Sequence, residues 1–522
     1  MAEGMRNADA PTVATRRRRG SRILAGIGAA VVVLAAAAYA DDQSLQLRIE
    51  REVDARFAAI RTTLGSATHG RVQFDPWTRT IRIHDIALQG NPKVMPPVKI
   101  GELALVGMPL PPGDRITAWR VEMTGTEVAV DAFKTMRLDG LVIDDLDVSR
   151  AIDWQGLRDL AAGGGSGPLR SVPEPQNVLP AVADVLEGIR FGRLEMRGLG
   201  FRESAKGVDV ASVRIDGLIG GRFKELTVRG VSSIALPDKV SLGRVTLRKL
   251  DVAGLLRTAG QLSAANRPPS PEQIAALVNG LEGVELDDAS VPDQRPGHGG
   301  GDVIHIRSFQ VGWGPLVGML PTSAHYAVKA DMPISDRDGP PFKAMREAGV
   351  DRLTVAFDIG SAWNEQARTV VLSPATVELN DLLAMSLKLS IGNLPSNLVL
   401  DDPAEQERAA KALEFGAIEL SVHDTGAVDF TVSALAREQR ISAGDARAKM
   451  IEDMKRGART QPRQSAELQR LVDAFARFLA QDGATLKIAL RPKGRVNLAQ
   501  LFEVDPIDAL SQFDVEASAG GK

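Results

Sequence analysis

The stretch "RVQFDPWTRTIRIHDIAL", residues Arg71–Leu88, decides how this 522-residue chain folds. Its apolar side chains follow the pattern apolar-x-apolar, two residues, apolar-x-apolar, at Ile81, Ile83, Ile86 and Leu88. Alternation with a period of two predicts a β-strand. The preceding Asp75-Pro76-Trp77 predicts a turn into that strand, with Trp77 packed. His84 and Asp85 give the stretch the look of a chemical site, but repeats elsewhere in the chain favour an architectural role.

The same eight-residue template recurs along the chain, which makes it an irregular internal repeat. Further copies begin at Leu103, Leu141, Leu194, Val245, Val284, Ile304 and Val370, and weaker ones at Val213 and Leu226. Together the copies predict one apolar sheet face, either an open groove or a closed core. Its candidate residues are Ile81, Ile83, Ile86, Leu88, Leu141, Ile143, Leu146, Val148, Leu194, Met196, Leu199, Phe201, Val245, Leu247, Leu250, Val252, Ile304, Ile306, Phe309 and Val311.

The three-residue step inside the template is its most informative feature. In a regular strand this step sends the second apolar pair to the opposite face. A β-bulge, in which two residues oppose one, keeps all four side chains on one face and bends the strand. The inserted pairs are mostly polar or small: His84-Asp85, Asp144-Asp145, Arg197-Gly198, Arg248-Lys249, Asp287-Asp288 and Arg307-Ser308. We therefore predict a mainly β fold with helical insertions, built on a strongly curved antiparallel sheet with a hydrophobic concave face. Two short strands per copy are the alternative.

The N-terminal region predicts a membrane segment. Residues 23–40 carry no charge and follow the basic stretch Arg16–Arg22, which favours a single span with a cytoplasmic N-terminus. Cleavage of a signal peptide after Ala38-Tyr39-Ala40 is the alternative, and both export the chain from residue 41 onward. The anchor residues would be Ile23, Leu24, Ile27, Val31, Val32, Val33 and Leu34.

Periodicity and Gly- or Pro-rich linkers divide the rest of the chain. An amphipathic helix is predicted after the anchor, and further helices in "EPQNVLPAVADVLEG", "DVAGLLRTAGQL", "SPEQIAALVNGLEG", "DPAEQERAAKALEFG", "SAGDARAKMIEDMKRG" and "AELQRLVDAFARFLAQDG". The predicted organisation is a basic tail at 1–22, an anchor at 23–40, an amphipathic helix at 41–66, three β-repeat modules at 67–162, 176–291 and 302–400, and a helix-rich region with terminal strands at 401–522.

Composition excludes several functional classes. A net charge of -3 offers no general attraction for nucleic acid, and the absence of cysteine excludes disulfides and thiolate chemistry. The six histidines lack the spacing of a zinc site, and "GHGGG" at 297–301 has no accompanying Gly-x-Ser-x-Gly. His84-Asp85 is better explained as a solvent-facing pair, since other copies hold Arg-Gly or Arg-Lys there. We expect no catalytic residues, no metal and no cofactor.

The anchor, "GRVQFDPWTRTIRIHDIALQG", "GRLEMRGLGF", "GRVTLRKLDVAGLL" and "SPATVELNDLLAMSLKLSIGNL" together resemble the AsmA-like and TamB-like exported bacterial envelope proteins. The resemblance is one of pattern over about residues 15 to 400, and this chain is short for the bridge-forming members. It implies an inner-membrane anchor, a periplasmic curved sheet with a hydrophobic groove, and a role in phospholipid movement or outer-envelope maintenance. It implies no catalytic residues.

Two functions follow as expectations. The first is a non-enzymatic, single-pass inner-membrane protein that binds or transfers membrane lipid along the apolar face of a periplasmic body. The alternative is a structural module with a closed core that holds envelope proteins together. Periodicity by itself does not separate an open groove from a closed core; a closed core is favoured because most apolar sheet faces are ordinary core.

Overall fold

The computed structural model describes residues 45–64, 66–89, 96–107, 115–131, 134–149, 175–203, 206–233, 240–265, 270–293, 295, 302–317, 320–335, 338–379, 382–394, 403–460 and 465–521. Within them, one 20-stranded antiparallel sheet and a separate two-stranded pair are accompanied by helices. The predicted fold class, mainly β with an antiparallel sheet and helical insertions, is confirmed. The chain divides into two compact units, Met1–Val228 with Leu250–Pro268, and Arg229–Lys249 with Pro269–Lys522.

The first unit begins with a helix and continues as a meander of strands. Strands β1 and β2 both pair with β3, and each strand from β3 to β8 then pairs antiparallel with the next. The elements are α1 (Leu45–Leu64), β1 (Ser66–Thr68), β2 (Val72–Asp75), β3 (Thr80–Gln89), β4 (Val98–Val106), β5 (Arg115–Asp131), β6 (Lys134–Ser149), α2 (Pro175–Gly188), β7 (Ile189–Glu203), β8 (Lys206–Ile219), β9 (Arg222–Ser233), β10 (Ser241–Asp251) and α3 (Val252–Ala265). Strands β9 and β10 contain the division between the units.

The second unit continues the meander and ends in a group of helices. Pairing follows β10–β11–β12–β15–β16–β17–β18–β19, after which β19 pairs with β20 and β21, and β20 with β22. The new elements are α4 (Pro271–Asn279), β11 (Gly283–Pro292), β12 (Val303–Trp313), β13 (Leu316–Val317), β14 (Leu320–Pro321), β15 (Ser323–Pro333), α5 (Pro340–Glu347), β16 (Arg352–Asn364), β17 (Thr369–Leu379), β18 (Leu383–Gly392), α6 (Pro403–Ala412), β19 (Glu414–Asp424), α7 (Ala427–Gln439), α8 (Ala443–Arg459), α9 (Ala466–Ala480), β20 (Thr485–Pro492), β21 (Val496–Asn497), α10 (Leu498–Glu503), α11 (Pro506–Leu510) and β22 (Phe513–Gly520).

Left-handed residues keep the apolar side chains of most template copies on one face. The β3–β4 register runs unbroken from Ile81↔Leu105 to Leu88↔Val98, and Asp85 within it has φ 52°. One left-handed residue interrupts the two-residue alternation of side chains, so the apolar pairs before and after it project to the same side. The second inserted residue is left-handed in five copies: Asp85, Asp145, Gly198, Lys249 and Asp288.

The predicted β-bulge, in which two residues oppose one residue of the partner strand, is therefore wrong for these five copies in the pairings that the structure describes. Gly and Asp tolerate the left-handed region better than most residues, which explains why they occupy four of the five positions. Lys249 is the exception, and its Nζ donates to Glu282 Oε1 at 2.7 Å. The weaker copies have Gly217 and Gly230 at the equivalent position, both left-handed.

True β-bulges occur in the second unit. The β12–β15 register shifts by one residue at Arg307, within the copy that begins at Ile304. In the copy that begins at Val370, the register between β16 and β17 shifts between Ile359 and Ser361. The bulge prediction is confirmed for these two copies.

Two template copies end differently from the prediction. Val252 does not continue β10, because Asp251 Oδ1 accepts the Gly254 N–H at 2.8 Å and α3 begins at Val252. In β4 the buried apolar residues are Val98, Ile100, Leu103, Ala104 and Leu105. The predicted second half of the Leu103 copy, Met108 and Leu110, lies outside the described residues.

The helices predicted from periodicity are present. Ser270 and Gln273 form a capping box at the start of α4: Gln273 N donates to Ser270 Oγ at 3.4 Å, and Ser270 N donates to Gln273 Oε1 at 2.9 Å. Helix α8 is capped by Ser442, and α9 by Ser465. Helices α5, α7, α10 and α11 were not predicted.

The turn before β3 forms as predicted, but Trp77 does not pack. Asp75 accepts hydrogen bonds from Trp77 N at 2.9 Å and from Thr78 Oγ1 at 2.7 Å, which stabilise the turn. The Trp77 side chain is 94% exposed, so the prediction of a packed tryptophan is wrong. The turn forms through hydrogen bonds within its own residues, whereas packing of the indole needs another element, and none of the described elements covers it.

Candidate functional site

Helix α1 covers the apolar face at the start of the first unit. Its residues Ile49, Val53 and Phe57 are at most 2% exposed and belong to one core cluster with strands β3 to β6. Eight predicted face residues lie in this cluster: Ile81, Ile83, Ile86, Leu88, Leu141, Ile143, Leu146 and Val148. At this end the apolar face is a closed core.

The same face is open over β7 and β8. We define the β7–β8 strip as Leu194, Met196, Leu199, Phe201, Val208, Val210, Val213 and Ile215, none of which is buried. Phe201 is 37% and Val208 39% exposed, and the two are direct cross-strand partners. Apolar side chains at this exposure keep much of their surface in water, which is unfavourable unless a ligand or another chain covers it.

Exposure rises across the sheet within the first unit. Leu141 pairs with Met196, and Met196 pairs with Val213. Leu141 is buried, whereas its two successive neighbours are half-buried. At the opposite end of β7 and β8, Phe191 and Leu218 are buried again. Leu194, Met196, Leu199 and Ile215 are partly buried and pack against the core cluster, so the strip is most open at the cross-strand pair Phe201 and Val208.

The opposite face of these strands is polar and charged. Arg193 and Arg214 both donate to Asp216, at 3.3 and 2.8 Å, and Arg197 donates to Glu195 Oε1 at 2.6 Å. The hydrogen bond from Arg197 holds the pKa of Glu195 below its ordinary value. Burial raises the pKa of Asp216, but its hydrogen bonds to Arg214 and Arg193 outweigh that effect and lower it. These pairs indicate a solvated, polar face.

The second unit has a comparable opening. We define the β12–β16 strip as Ile304, Ile306, Phe309, Val311, Tyr326, Val328 and Ile359. Tyr326 is 40% exposed and pairs with Val311 on one side and with Ile359, 37% exposed, on the other. The rings of Phe309 and Tyr326 meet edge to face with centroids 5.7 Å apart. Neighbouring β10 and β11 continue this apolar character with half-buried Val245 and Leu247 in β10 and Val284 and Leu286 in β11.

Leu250, another predicted face residue, is half-buried in β10, and Val252 is half-buried in α3. Both belong to the first unit. The sequence did not single out Val208, Tyr326 and Ile359, although the alternation of apolar residues in β8, β15 and β16 would have found them.

Helices close the C-terminal part of the second unit. Val428 and Val432 of α7, Ala446 of α8 and Phe478 of α9 form one core cluster with Leu486 of β20. Helix α5 contributes Met345 to another cluster with Leu353 and Val355. A depression of about 690 Å³ crosses β17 to β22, with polar lining residues that include Ser386, Lys388, Glu419, Ser421, Lys487 and Glu516. The depression is open to solvent, unlike the enclosed cavities typical of small-molecule sites.

The His84–Asp85 pair is not arranged as a catalytic pair in the described contacts. His84 Nδ1 lies 3.6 Å from Glu102 Oε2, and its Nε2 lies 3.2 Å from the Gln73 side-chain amide. Asp85 instead faces Gly70. Across the described ranges, no three His, Asp or Glu side chains are grouped to hold a metal ion. The "GHGGG" segment lies outside the described residues.

The predicted membrane anchor, with Ile23, Leu24, Ile27, Val31, Val32, Val33 and Leu34, also lies outside the described residues. Among the helices that the structure does describe, none has the length and apolar character needed to cross a bilayer.

The fold and its two strips thus define a class: a β-sheet protein in which each unit has apolar strand residues that are core in some places and partly exposed in others. A family model described as "Uncharacterized protein" matches residues 376–520, the segment from the end of β17 to β22. No curated protein matches the chain.

Proposed function

We propose that this protein is a non-enzymatic lipid-binding protein that holds acyl chains of membrane lipid against the open apolar strips of its sheet. The observation that carries the proposal is the exposure of Phe201 and Val208 on a face whose residues in β3 to β6 are core residues. A ligand of apolar chains would cover what the protein leaves uncovered, while a headgroup would stay in water.

Energetics support a chain-like ligand. Each methylene moved from water to the strip contributes about 0.8 kcal/mol, so a few methylenes offset the cost of ordering an acyl chain. The half-buried side chains of the β7–β8 strip form contiguous cross-strand pairs, Leu199 with Val210 and Leu194 with Ile215. A continuous apolar track suits an extended chain better than a compact ligand.

The wider proposal places the protein in the bacterial envelope. Residues 23–40 act as a single-pass inner-membrane anchor, and the rest of the chain lies in the periplasm. In this proposal the left-handed residues curve the sheet so that the apolar face is its concave side. This agrees with the resemblance to AsmA-like and TamB-like proteins and points to lipid transfer or maintenance of the outer envelope.

The second candidate is a structural module that joins envelope proteins. Strand β22 favours it, because in the described pairings β22 bonds to β20 on one side alone. A free strand edge accepts an added strand from a partner. Under this alternative, partner proteins rather than lipid would cover the exposed residues.

Photocrosslinking of the full chain in its native membrane tests the proposal. A photoreactive residue at Phe201 or Tyr326 should capture lipid, whereas one at Lys224, an exposed residue of β9, should capture none. Val208→Asp should reduce lipid capture at position 201 several-fold, and Lys224→Asp should leave it unchanged. Capture of protein without lipid at both positions would favour the structural module and sink the lipid proposal.

A further inference from the structure

Three large apolar side chains stand uncovered at one end of the first unit. Trp77 is 94%, Trp119 72% and Leu47 55% exposed. They come from three separate elements: the turn before β3, strand β5 and the first turn of α1. None belongs to the β7–β8 strip, so the lipid-binding proposal does not account for them.

Hydrogen bonds of the Gln46 side chain place the first turn of α1 beside the strand that leads to Trp77. Gln46, next to Leu47, donates from Nε2 to Val72 O at 2.8 Å, and its Oε1 accepts from Phe74 N at 2.9 Å. Those bonds fix the start of α1 beside β2, which leads directly into the turn of Trp77.

Trp119 approaches the same turn from β5. Gly107 N donates to Arg79 O, the last residue of the turn, at 3.2 Å. The Trp119 ring lies over Gly107, where a side chain would collide with the indole. Exposed Arg79 adds a positive charge to this end of the sheet.

The sequence before α1 indicates that the surface facing these three side chains is a lipid bilayer. Four residues, 41–44, separate the uncharged run at 23–40 from the described start of α1 at Leu45. Even fully extended, five Cα–Cα steps span at most about 18 Å. If residues 23–40 cross a bilayer, the end of the sheet beside Gln46 must lie close to the membrane surface.

We propose that Leu47, Trp77 and Trp119 form a membrane-docking patch that seats this end of the first unit in the headgroup layer of the bilayer. Trp concentrates at membrane interfaces because its ring is apolar while its N–H needs a polar partner. Arg79 would meet lipid phosphates there. The inference rests on the proposed membrane anchor, but it does not depend on lipid binding by the strips.

Fluorescence quenching of the full chain in lipid nanodiscs tests the patch. The probe is phosphatidylcholine with a nitroxide on its headgroup. The emission of Trp77 is obtained by subtracting the spectrum of Trp77→Phe from that of the wild type, and the emission of Trp119 is obtained in the same way. This lipid should quench each of these two emissions at least twofold. Both residues are exposed, so neither substitution endangers folding. The emission lost in Trp313→Phe, a residue of the second unit whose Nε1 donates to Val278 O, should be quenched far less.

A separate variant distinguishes the patch from the strips. Val208→Asp should leave the quenching of Trp77 and Trp119 unchanged, because the nitroxide lipid acts from the bilayer and not from the β7–β8 strip. Equal quenching of Trp77, Trp119 and Trp313 overturns the patch, as does a full chain that fails to remain with the nanodisc. Loss of quenching in Val208→Asp would also overturn it.

Discussion

At the scale of the residue, one backbone conformation organises the sheet. Asp85, Asp145, Gly198, Lys249 and Asp288 adopt left-handed φ values inside strands. This conformation costs an L-residue with a β-carbon about 1–2 kcal/mol, which side chains of Asp offset in part by local hydrogen bonds. In the copies of Asp85, Asp145, Gly198 and Asp288 this cost is offset because the left-handed residue keeps four apolar side chains on one face.

Gly198 should therefore resist substitution. A β-branched residue cannot adopt φ 62° without strain, and a side chain there would collide with Asp139 on β6. We expect Gly198→Val to lower the free energy of unfolding by about 2 kcal/mol or more. Urea unfolding followed by circular dichroism measures the change.

Ala211 is the matched control for Gly198. It is exposed on β8 next to Ser212, which pairs with Arg197, and it has no left-handed backbone. Ala211→Val should change the free energy of unfolding by less than about 0.5 kcal/mol. Similar losses in the two variants would contradict the role assigned to the left-handed residue.

The bulge at Arg307 produces a pH-sensitive contact. Arg307 Nε donates to Asp331 Oδ2 at 2.5 Å, and Thr354 Oγ1 donates to Asp331 Oδ1. Burial raises the pKa of Asp331 more than any other single effect, but the hydrogen bonds and the positive charges of Arg307 and Arg352 together lower it.

Because the folded-state pKa of Asp331 is lowered, its stabilising contribution is present above its unfolded pKa of about 4 and is lost as pH falls through the lower folded value. Asp331→Asn should reduce stability at pH 7 and flatten the loss of stability between about pH 4 and pH 2. Thermal unfolding of both chains across this range measures the difference. An unaltered pH profile in Asp331→Asn argues against the contact.

At the scale of the element, α1 decides whether the apolar face is core or surface. The helix lies over β3 to β6 through Ile49, Val53 and Phe57. The ring of Phe57 also meets that of His69, with centroids 4.5 Å apart. Strands β7 and β8 carry the same kind of apolar pattern but remain partly exposed.

Phe57→Ala should be strongly destabilising. The side chain is 1% exposed, and its removal leaves a cavity between α1 and the sheet. We expect a loss of about 3–5 kcal/mol in the free energy of unfolding. Arg56→Ala serves as the control, since Arg56 is exposed and pairs with Glu52 within the helix; its loss should stay below about 1 kcal/mol. Denaturant unfolding compares the two, and equal effects would show that α1 does not seal the core.

At the scale of the whole molecule, the covered and open parts of the face should respond differently to charge. Val121 is 0% exposed in the core cluster of the first unit, whereas Val208 is 39% exposed in the β7–β8 strip. Val121→Asp buries a carboxylate and should unfold the first unit. Val208→Asp should cost less than about 1 kcal/mol, because water already reaches the site. Expression of folded protein and its unfolding midpoint distinguish them, and a Val208→Asp variant that fails to fold would mean that the strip is core.

Much of the fold could be predicted from the sequence. The template located β3, β6, β7, β10, β11, β12 and β17, and helical patterns located α1, α2, α3, α4, α6, α8 and α9. The bulge interpretation failed where a left-handed residue solved the same problem, because spacing shows that two apolar pairs share a face but not by which backbone conformation. Val252 was misplaced because Asp251 caps a helix at that point.

The sequence by itself determined which side of each template strand is apolar and where seven of the helices form, since both depend on local spacing. Only the tertiary structure decided which apolar residues are covered. Ile81 and Leu199 satisfy the same pattern, yet one lies beneath α1 and the other is half-exposed. Periodicity records which face of a strand is apolar, whereas burial depends on the distant segment that packs on that face.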